Sequence, residues 1–276
     1  MEKIKLICID MDGTLLNSKH EVSEENKNAL KQAKAKGINV AITTGRLFAS
    51  ARYYSNLIGI DAPVIASNGA YIKNKYNDIA ILENTISTDV LIKIYEIVKK
   101  YNLFINFNTW DTVLRETDLP STHAYVKMNE MLVPNERVKF VINEDLTESI
   151  KKLDGKIIKG IVIEDFDKEK LLACKEELKE TFGEKLHVVS SGTNNFEIMN
   201  GNSSKGSAVA YLADTLGIDA SNVMCIGDSE NDISMIQYAG VGVAMGNALD
   251  IVKEVANDIT STNEESGVAK AILKYI

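Results

Sequence analysis

Two aspartates, Asp10 and Asp12, follow the apolar run Leu6-Ile7-Cys8-Ile9 near the start of the chain and lead into Gly13 and Thr14. A short apolar run with no room for a helix reads as a buried strand of a parallel sheet covered on both faces. The carboxylates then sit at the strand's C-terminal end, where open α/β sheets place their sites. Residues two apart on an extended chain point to one side, so Asp10 and Asp12 are expected to face one small volume. Two carboxylates that close repel unless a cation neutralises them or one holds a proton. The pair invites divalent-metal binding and acid–base chemistry.

Other expected strand ends carry matching groups. Thr44, Gly45 and Arg46 lie between a strand and a helix, where a hydroxyl and free amides at a helix N-terminus suit an anionic oxygen. Lys205 opens a later helix, and Asp228, Asn231 and Asp232 follow a later strand. An acidic cluster for a hard cation, with Thr, Lys and backbone donors, is what phosphoryl transfer requires. Two of these positions have plainer readings. Asp232 would serve as a helix N-cap, and Arg46 would pair with an acidic neighbour. Asn68 and Gly69 read equally well as a turn and are left outside the catalytic set. His20, His123 and His187 are widely spread, show no ligand spacing and read as ordinary.

The elements that must hold these groups follow from capping and periodicity. Ser23 caps a helix to about Lys36, and Gly37 stops it. A strand at 38–42, a helix at 47–57 and a strand at 63–66 follow, giving the doubly wound pattern. Residues 70–73 and 79–83 read as short strands around an Asn/Lys-rich turn. Near 84 the grammar changes. A helix to Tyr101 precedes strands at 103–108 and 113–115, then a poorly periodic stretch through Pro134. A strand at 156–163, an amphipathic helix at 167–182 and strands at 186–190 and 195–199 complete an α+β unit of roughly 100 residues, a normal domain size. Alternation resumes with a helix at 204–216, strands at 223–226 and 241–244, and helices at 232–238, 249–255 and 267–275. The expected division is a core of 1–84 and 191–276 interrupted by an α+β domain at 85–190.

The chain has 276 residues and a formal net charge of −8. That balance argues against a nucleic-acid binder and leaves room for a small anionic substrate met by a local cluster of cations. No apolar run approaches a membrane span, and the N-terminus reaches Asp10 before a signal-peptide core could form. Cys8, Cys174 and Cys225 cannot all pair, and free thiols fit a reducing cytoplasm. A cytoplasmic location is expected; oligomeric state is not legible.

The combined motifs resemble the haloacid dehalogenase-like (HAD) superfamily of phosphohydrolases. They are D-M-D-G-T at 10–14, T-T-G-R at 43–46, S-N-G-A at 67–70, S-K-G at 204–206 and G-D-S-E-N-D at 227–232. The insertion between the second and third motifs, with the T-T-G-R and G-D-x-x-N-D variants, looks like the Cof-type branch, subclass IIB. The resemblance implies an α/β, doubly wound Rossmann-like core with an inserted α+β type-2 (C2B-like) cap, and a Mg²⁺-dependent phosphatase of small phosphorylated metabolites, foremost sugar phosphates. It implies Asp10 as nucleophile, forming an aspartyl-phosphate, and Asp12 as general acid and base. Mg²⁺ would be held by Asp10, the backbone carbonyl of Asp12 and Asp228, with Asp232 ordering the ligands. Met11, Thr44, Gly45, Arg46, Lys205 and Asn231 would surround the phosphate, Lys205 also bridging to Asp10.

Position 12 separates chemistries within that superfamily. Dehalogenase-like members lack a carboxylate there and ion-pumping ATPases carry Thr, so Asp12 favours hydrolysis. A phosphomutase shares both aspartates and is the nearest enzymatic alternative; a silent sugar-phosphate-binding regulator is the third reading. Substrate identity is expected to lie in the inserted domain, with Trp110, Arg115, His123 and Tyr125 as candidates.

Overall fold

A computed structural model describes residues 3–59, 61–74, 77, 79–190 and 192–276. The chain divides into two compact units, one of Met1–Gly45, Ala51–Leu82 and Ser204–Ile276, the other of Arg46–Ser50 and Glu83–Ser203. In order it runs β1 (Leu6–Asp10), α1 (Glu24–Ala35), β2 (Asn39–Thr43), α2 (Phe48–Leu57), β3 (Val64–Ala66), β4 (Tyr71–Lys73) and β5 (Leu82–Glu83). Next come α3 (Thr88–Lys100), β6 (Ile105–Asn108), β7 (Thr112–Arg115), α4 (Ala124–Met131), β8 (Lys139–Ile142) and α5 (Thr147–Lys152). They are followed by β9 (Lys159–Ile163), α6 (Lys168–Phe182), β10 (Leu186–Val189) and β11 (Asn195–Asn200). The chain closes with α7 (Lys205–Thr215), β12 (Val223–Gly227), α8 (Ile233–Tyr238), β13 (Val241–Ala244), α9 (Asp250–Val255), β14 (Asp258–Ile259) and α10 (Gly267–Tyr275).

In the first unit an eight-stranded sheet has the order β14-β13-β12-β1-β2-β3-β4-β5. Pairing is parallel from β14 through β3 and turns antiparallel at β4. Both faces are apolar, as a parallel sheet covered by helices requires. Ile7, Ile9, Val40, Ile42 and Ile226 share a core with α1 and α10, through Leu30 and Ile272. On the opposite face Leu6, Cys8, Ala41 and Cys225 pack with α7 and α8, through Leu212 and Met235. Helix α1 begins as expected, the Asn26 N–H donating to Ser23 Oγ at 3.2 Å. The order of strands reverses at β1: β2 and β3 extend to one side of it, β12 to β14 to the other. Its carboxyl end is the topological switch point, the place where such sheets hold their ligands.

The second unit contains a six-stranded sheet, β10-β11-β9-β6-β7-β8. The β7–β8 pair is parallel and the others are antiparallel. One face carries Ile105, Phe107, Val162, Phe196 and Ile198, which pack on α3 through Leu91 and Ile94 and on α6 through Leu171 and Leu178.

Three expectations about this region change. The return to the core, expected at 191, comes at 204, because β11 pairs with β9 and β10 rather than with the eight-stranded sheet. The poorly periodic stretch contains α4, whose one buried residue is Met128; a helix with so narrow an apolar stripe leaves little periodic signal. The half-buried edge strand β8 and the one-and-a-half turns of α5 were likewise not anticipated. Of the turn expected between the strands at 70–73 and 79–83, residues 75, 76 and 78 lie outside the described residues. Among the described residues, no helix is long and apolar enough to cross a membrane.

Candidate active site

Strand β1 delivers Asp10 to the switch point, 4% exposed, and then stops. The chain turns at once, the Leu15 N–H donating to Asp10 O at 3.2 Å and the Leu16 N–H to Met11 O at 2.9 Å. The strand ends at Asp10, and Asp12, in the turn that follows, is exposed where Asp10 is buried. The Met11 side chain packs in the apolar core.

The carboxylates that do gather are Asp10, Asp228 and Asp232, with an oxygen of each within 4.8 Å of the others. Lys205 lies among them, 1% exposed, its Nζ 2.5 Å from Asp10 Oδ1 and 2.5 Å from Asp232 Oδ1. Three acids share one ammonium. Burial, then repulsion from Asp232, pushes the Asp10 carboxyl well above the usual carboxylate range, against the pull of Lys205. Burial and the Asp232 charge likewise push Asp228 up to about 6. At Lys205 burial favours the neutral amine, but the Asp10 and Asp232 carboxylates prevail and raise its pKa above that of an ordinary lysine. Negative charge is thus in excess, in a pocket of hard oxygen donors. That donor set fits Mg²⁺.

Asp232 does more than precede a helix. Its second oxygen accepts from the Asp228 N–H at 2.9 Å and the Ser229 N–H at 3.0 Å, and it makes no side-chain cap to α8. It knots the turn that presents Asp228. Thr14 and Ser229, which sequence reading did not single out, orient the Asp228 carboxylate through hydroxyl bonds of 2.8 and 3.1 Å. Their place inside the D-M-D-G-T and G-D-S-E-N-D motifs was the available signal. Gly13 lets β1's turn pass close beside this group: its φ is +80°, and a Cβ there would lie 2.6 Å from Asp228 Oδ2.

Thr44 is buried just beyond β2, with its amide committed, the Thr44 N–H donating to Ile65 O at 2.9 Å. Its carbonyl accepts from the Asn68 N–H at 3.0 Å, so its backbone ties the end of β2 to the turn after β3. Gly45 ends the first unit's first segment, whereas Arg46 opens the short segment that belongs to the second. Asn231 sits beside Asn68, its Nδ2 donating to Asn68 Oδ1 at 3.0 Å. In the second unit His123 caps α4, its Nδ1 accepting from the Tyr125 N–H at 3.2 Å.

A doubly wound sheet with an acidic, lysine-bridged switch point defines a phosphoryl-transfer class of α/β enzyme. Comparison with known proteins gives the family. The model of the haloacid dehalogenase-like hydrolases matches residues 7–272, and the chain belongs to that family. Phosphatase YwpJ of Bacillus subtilis is 36% identical over 283 residues, covering 96% of this chain and 98% of its own. The B. subtilis 5-amino-6-(5-phospho-D-ribitylamino)uracil phosphatase YcsE is 35% identical over 273 residues, covering 99% and 96%. A solved haloacid dehalogenase-like hydrolase from B. subtilis superposes with a TM-score of 0.85 at 32% identity, over 99% of this chain and 100% of that one. The protein is a phosphoric monoester hydrolase.

Proposed function

We propose that this hydrolase acts on phosphomonoesters of small polyhydroxylated metabolites, sugar phosphates foremost, through an aspartyl-phosphate on Asp10. One observation carries the reading: Lys205 is buried between Asp10 and Asp232 at 2.5 Å from each. The ammonium holds Asp10 in place and counters the charge that develops on a transferring phosphoryl group. The substrate class draws support from YcsE, whose named substrate is a ribityl phosphate.

In the first half-reaction an Asp10 oxygen attacks phosphorus, the bond from phosphorus to the ester oxygen breaks, and Asp12 gives its proton to the departing alkoxide. In the second, Asp12 takes a proton from water as that water attacks phosphorus, which releases inorganic phosphate and restores the Asp10 carboxylate. The exposure of Asp12 suits a group that must meet both leaving group and water. The Thr44 hydroxyl, the backbone of Met11 and Gly45, Arg46, Lys205 and Asn231 are assigned to the phosphoryl oxygens. Asp10, the Asp12 carbonyl and Asp228 would hold Mg²⁺, with Asp232 fixing their arrangement. When bound, the ion supplies positive charge against the phosphoryl oxygens. The second unit is assigned the part of the type-2 cap.

Replacing Asp10 tests the nucleophile. Asp10→Asn should reduce phosphate release to background while the protein melts as a folded chain, since the residue lies at a strand end. Turnover near that of the unaltered enzyme would remove Asp10 from this role.

A further inference from the structure

The turn that follows β3, Ser67–Gly69, has an unusual backbone. Ser67, Asn68 and Gly69 have φ of +51°, +52° and +93°. Two non-glycine residues in succession in the left-handed region persist only where their surroundings over-determine them. Here Ser67 is 0% and Asn68 1% exposed. The Asn68 N–H donates to Thr44 O at 3.0 Å, and Asn68 Oδ1 accepts from Asn231 Nδ2 at 3.0 Å. A Cβ at Gly69 would lie 2.1 Å from the carbonyl oxygen of Ser204, the residue before Lys205. Three pieces of the candidate site therefore meet one strained turn.

Asn231 gives this arrangement its chemical meaning. Its Oδ1 is buried and has no hydrogen-bond partner among the described residues, while one of the two N–H groups on Nδ2 is held by Asn68. A carboxamide has an acceptor edge and a donor edge of nearly equal shape. If it rotated end for end it would turn an oxygen toward a phosphate dianion; held as it is, it keeps a second N–H available to one.

We propose that Asn68 is a positioning residue of the phosphate site, whose Oδ1 locks the Asn231 carboxamide with its donor edge toward the phosphoryl oxygens. The proposal rests on the reading of Asn231 as a phosphate contact. Asn68 itself touches no reacting atom; it acts through Asn231, and the left-handed turn holds it there.

The test is a double-mutant cycle on the full-length enzyme, with p-nitrophenyl phosphate as substrate and inorganic phosphate as inhibitor. Asn68→Gly keeps the left-handed backbone accessible and removes the lock. Asn231→Ala removes the contact. Each should weaken phosphate inhibition and raise KM on the order of tenfold, the scale of one hydrogen bond to a charged group. Both should melt close to the unaltered enzyme. The double variant should be no worse than Asn231→Ala alone, because residues that act through one another do not add. If Asn231→Ala leaves phosphate inhibition unchanged, the phosphate reading of Asn231 fails and the proposal falls with it. If Asn231→Ala weakens inhibition but Asn68→Gly does not, or the two effects add, the role of Asn68 alone is overturned. Should Asn68→Gly not fold, Asn68→Ser, whose hydroxyl is too short to reach Asn231, takes its place in the cycle with the same outcomes.

Discussion

Asp10 and Asp12 carry the same side chain two positions apart, and their surroundings suit them to different work. Asp10 is buried against Lys205 and two further carboxylates, which suits a fixed nucleophile with a compensated charge. Asp12 is exposed and stands outside that group, which suits proton exchange. Asp12→Asn is therefore expected to cost little stability, as exposed substitutions do, and to slow formation and breakdown of the intermediate. Where breakdown is slowed more, acid quenching during turnover and peptide mass analysis should find a phosphoryl group on the peptide containing Asp10. Unchanged rates for both steps would take Asp12 out of acid–base catalysis. The D-M-D-G-T motif points to the chemistry proposed for both residues but not to their unequal burial: alternation holds only while the strand lasts, and β1 ends at Asp10. Asn68 was passed over for a similar reason. Asn-Gly signals a turn, and only the folded chain shows Asn231 bonded to it.

At the scale of elements, two turns set the acidic group, one after β1 and one after β12. They meet where Thr14 binds Asp228 at 2.8 Å. Gly13→Ala should disturb this contact twice, through a strained positive φ and through a Cβ 2.6 Å from Asp228 Oδ2. The expected result is a destabilisation of about 1 kcal/mol or more and a higher Mg²⁺ requirement, read from melting and from activity against Mg²⁺ concentration. An unchanged Mg²⁺ requirement would separate that turn from metal binding. In the second unit, α3 and α6 each bury an acid–base group. Burial pushes the Cys174 thiol from 9.0 up to about 12, and burial with the bond to Glu116 pushes Tyr95 from 10.0 up to about 12. Both folded groups hold protons that the unfolded chain releases from about pH 9 upward, so folding stability should fall as pH rises from about 9 to 12. Melting across that range should fall less steeply in Cys174→Val; an identical slope would show that Cys174 contributes nothing to it. The segments the sequence did reveal are those with deep cores, such as β1, β2 and α6. Strand β11 reads as part of the α+β unit, yet the boundary at 190 leaves it outside, since alternating Phe196 and Ile198 report a half-buried strand and not its partner.

At the scale of the whole chain, a net charge of −8 coexists with a site meant for an anion. In the proposed reading the two are reconciled locally: the buried Lys205, Arg46 and any ion the carboxylates hold would supply the positive charge that phosphate meets. Alternation of strand and helix made the doubly wound core readable, and the break in that alternation made the insertion readable. Its far boundary depended on a pairing between β11 and β9 that lie more than thirty residues apart, which no local pattern encodes. The most direct test of the account is phosphate release from a panel of sugar, polyol, nucleotide and cofactor monophosphates, with Mg²⁺ and with a chelator. The account predicts release that requires Mg²⁺ and favours sugar or polyol phosphates. Release undiminished by the chelator would contradict the role given to Asp10, Asp228 and Asp232 as metal ligands, and no release from any substrate by folded protein would contradict the proposed reaction itself.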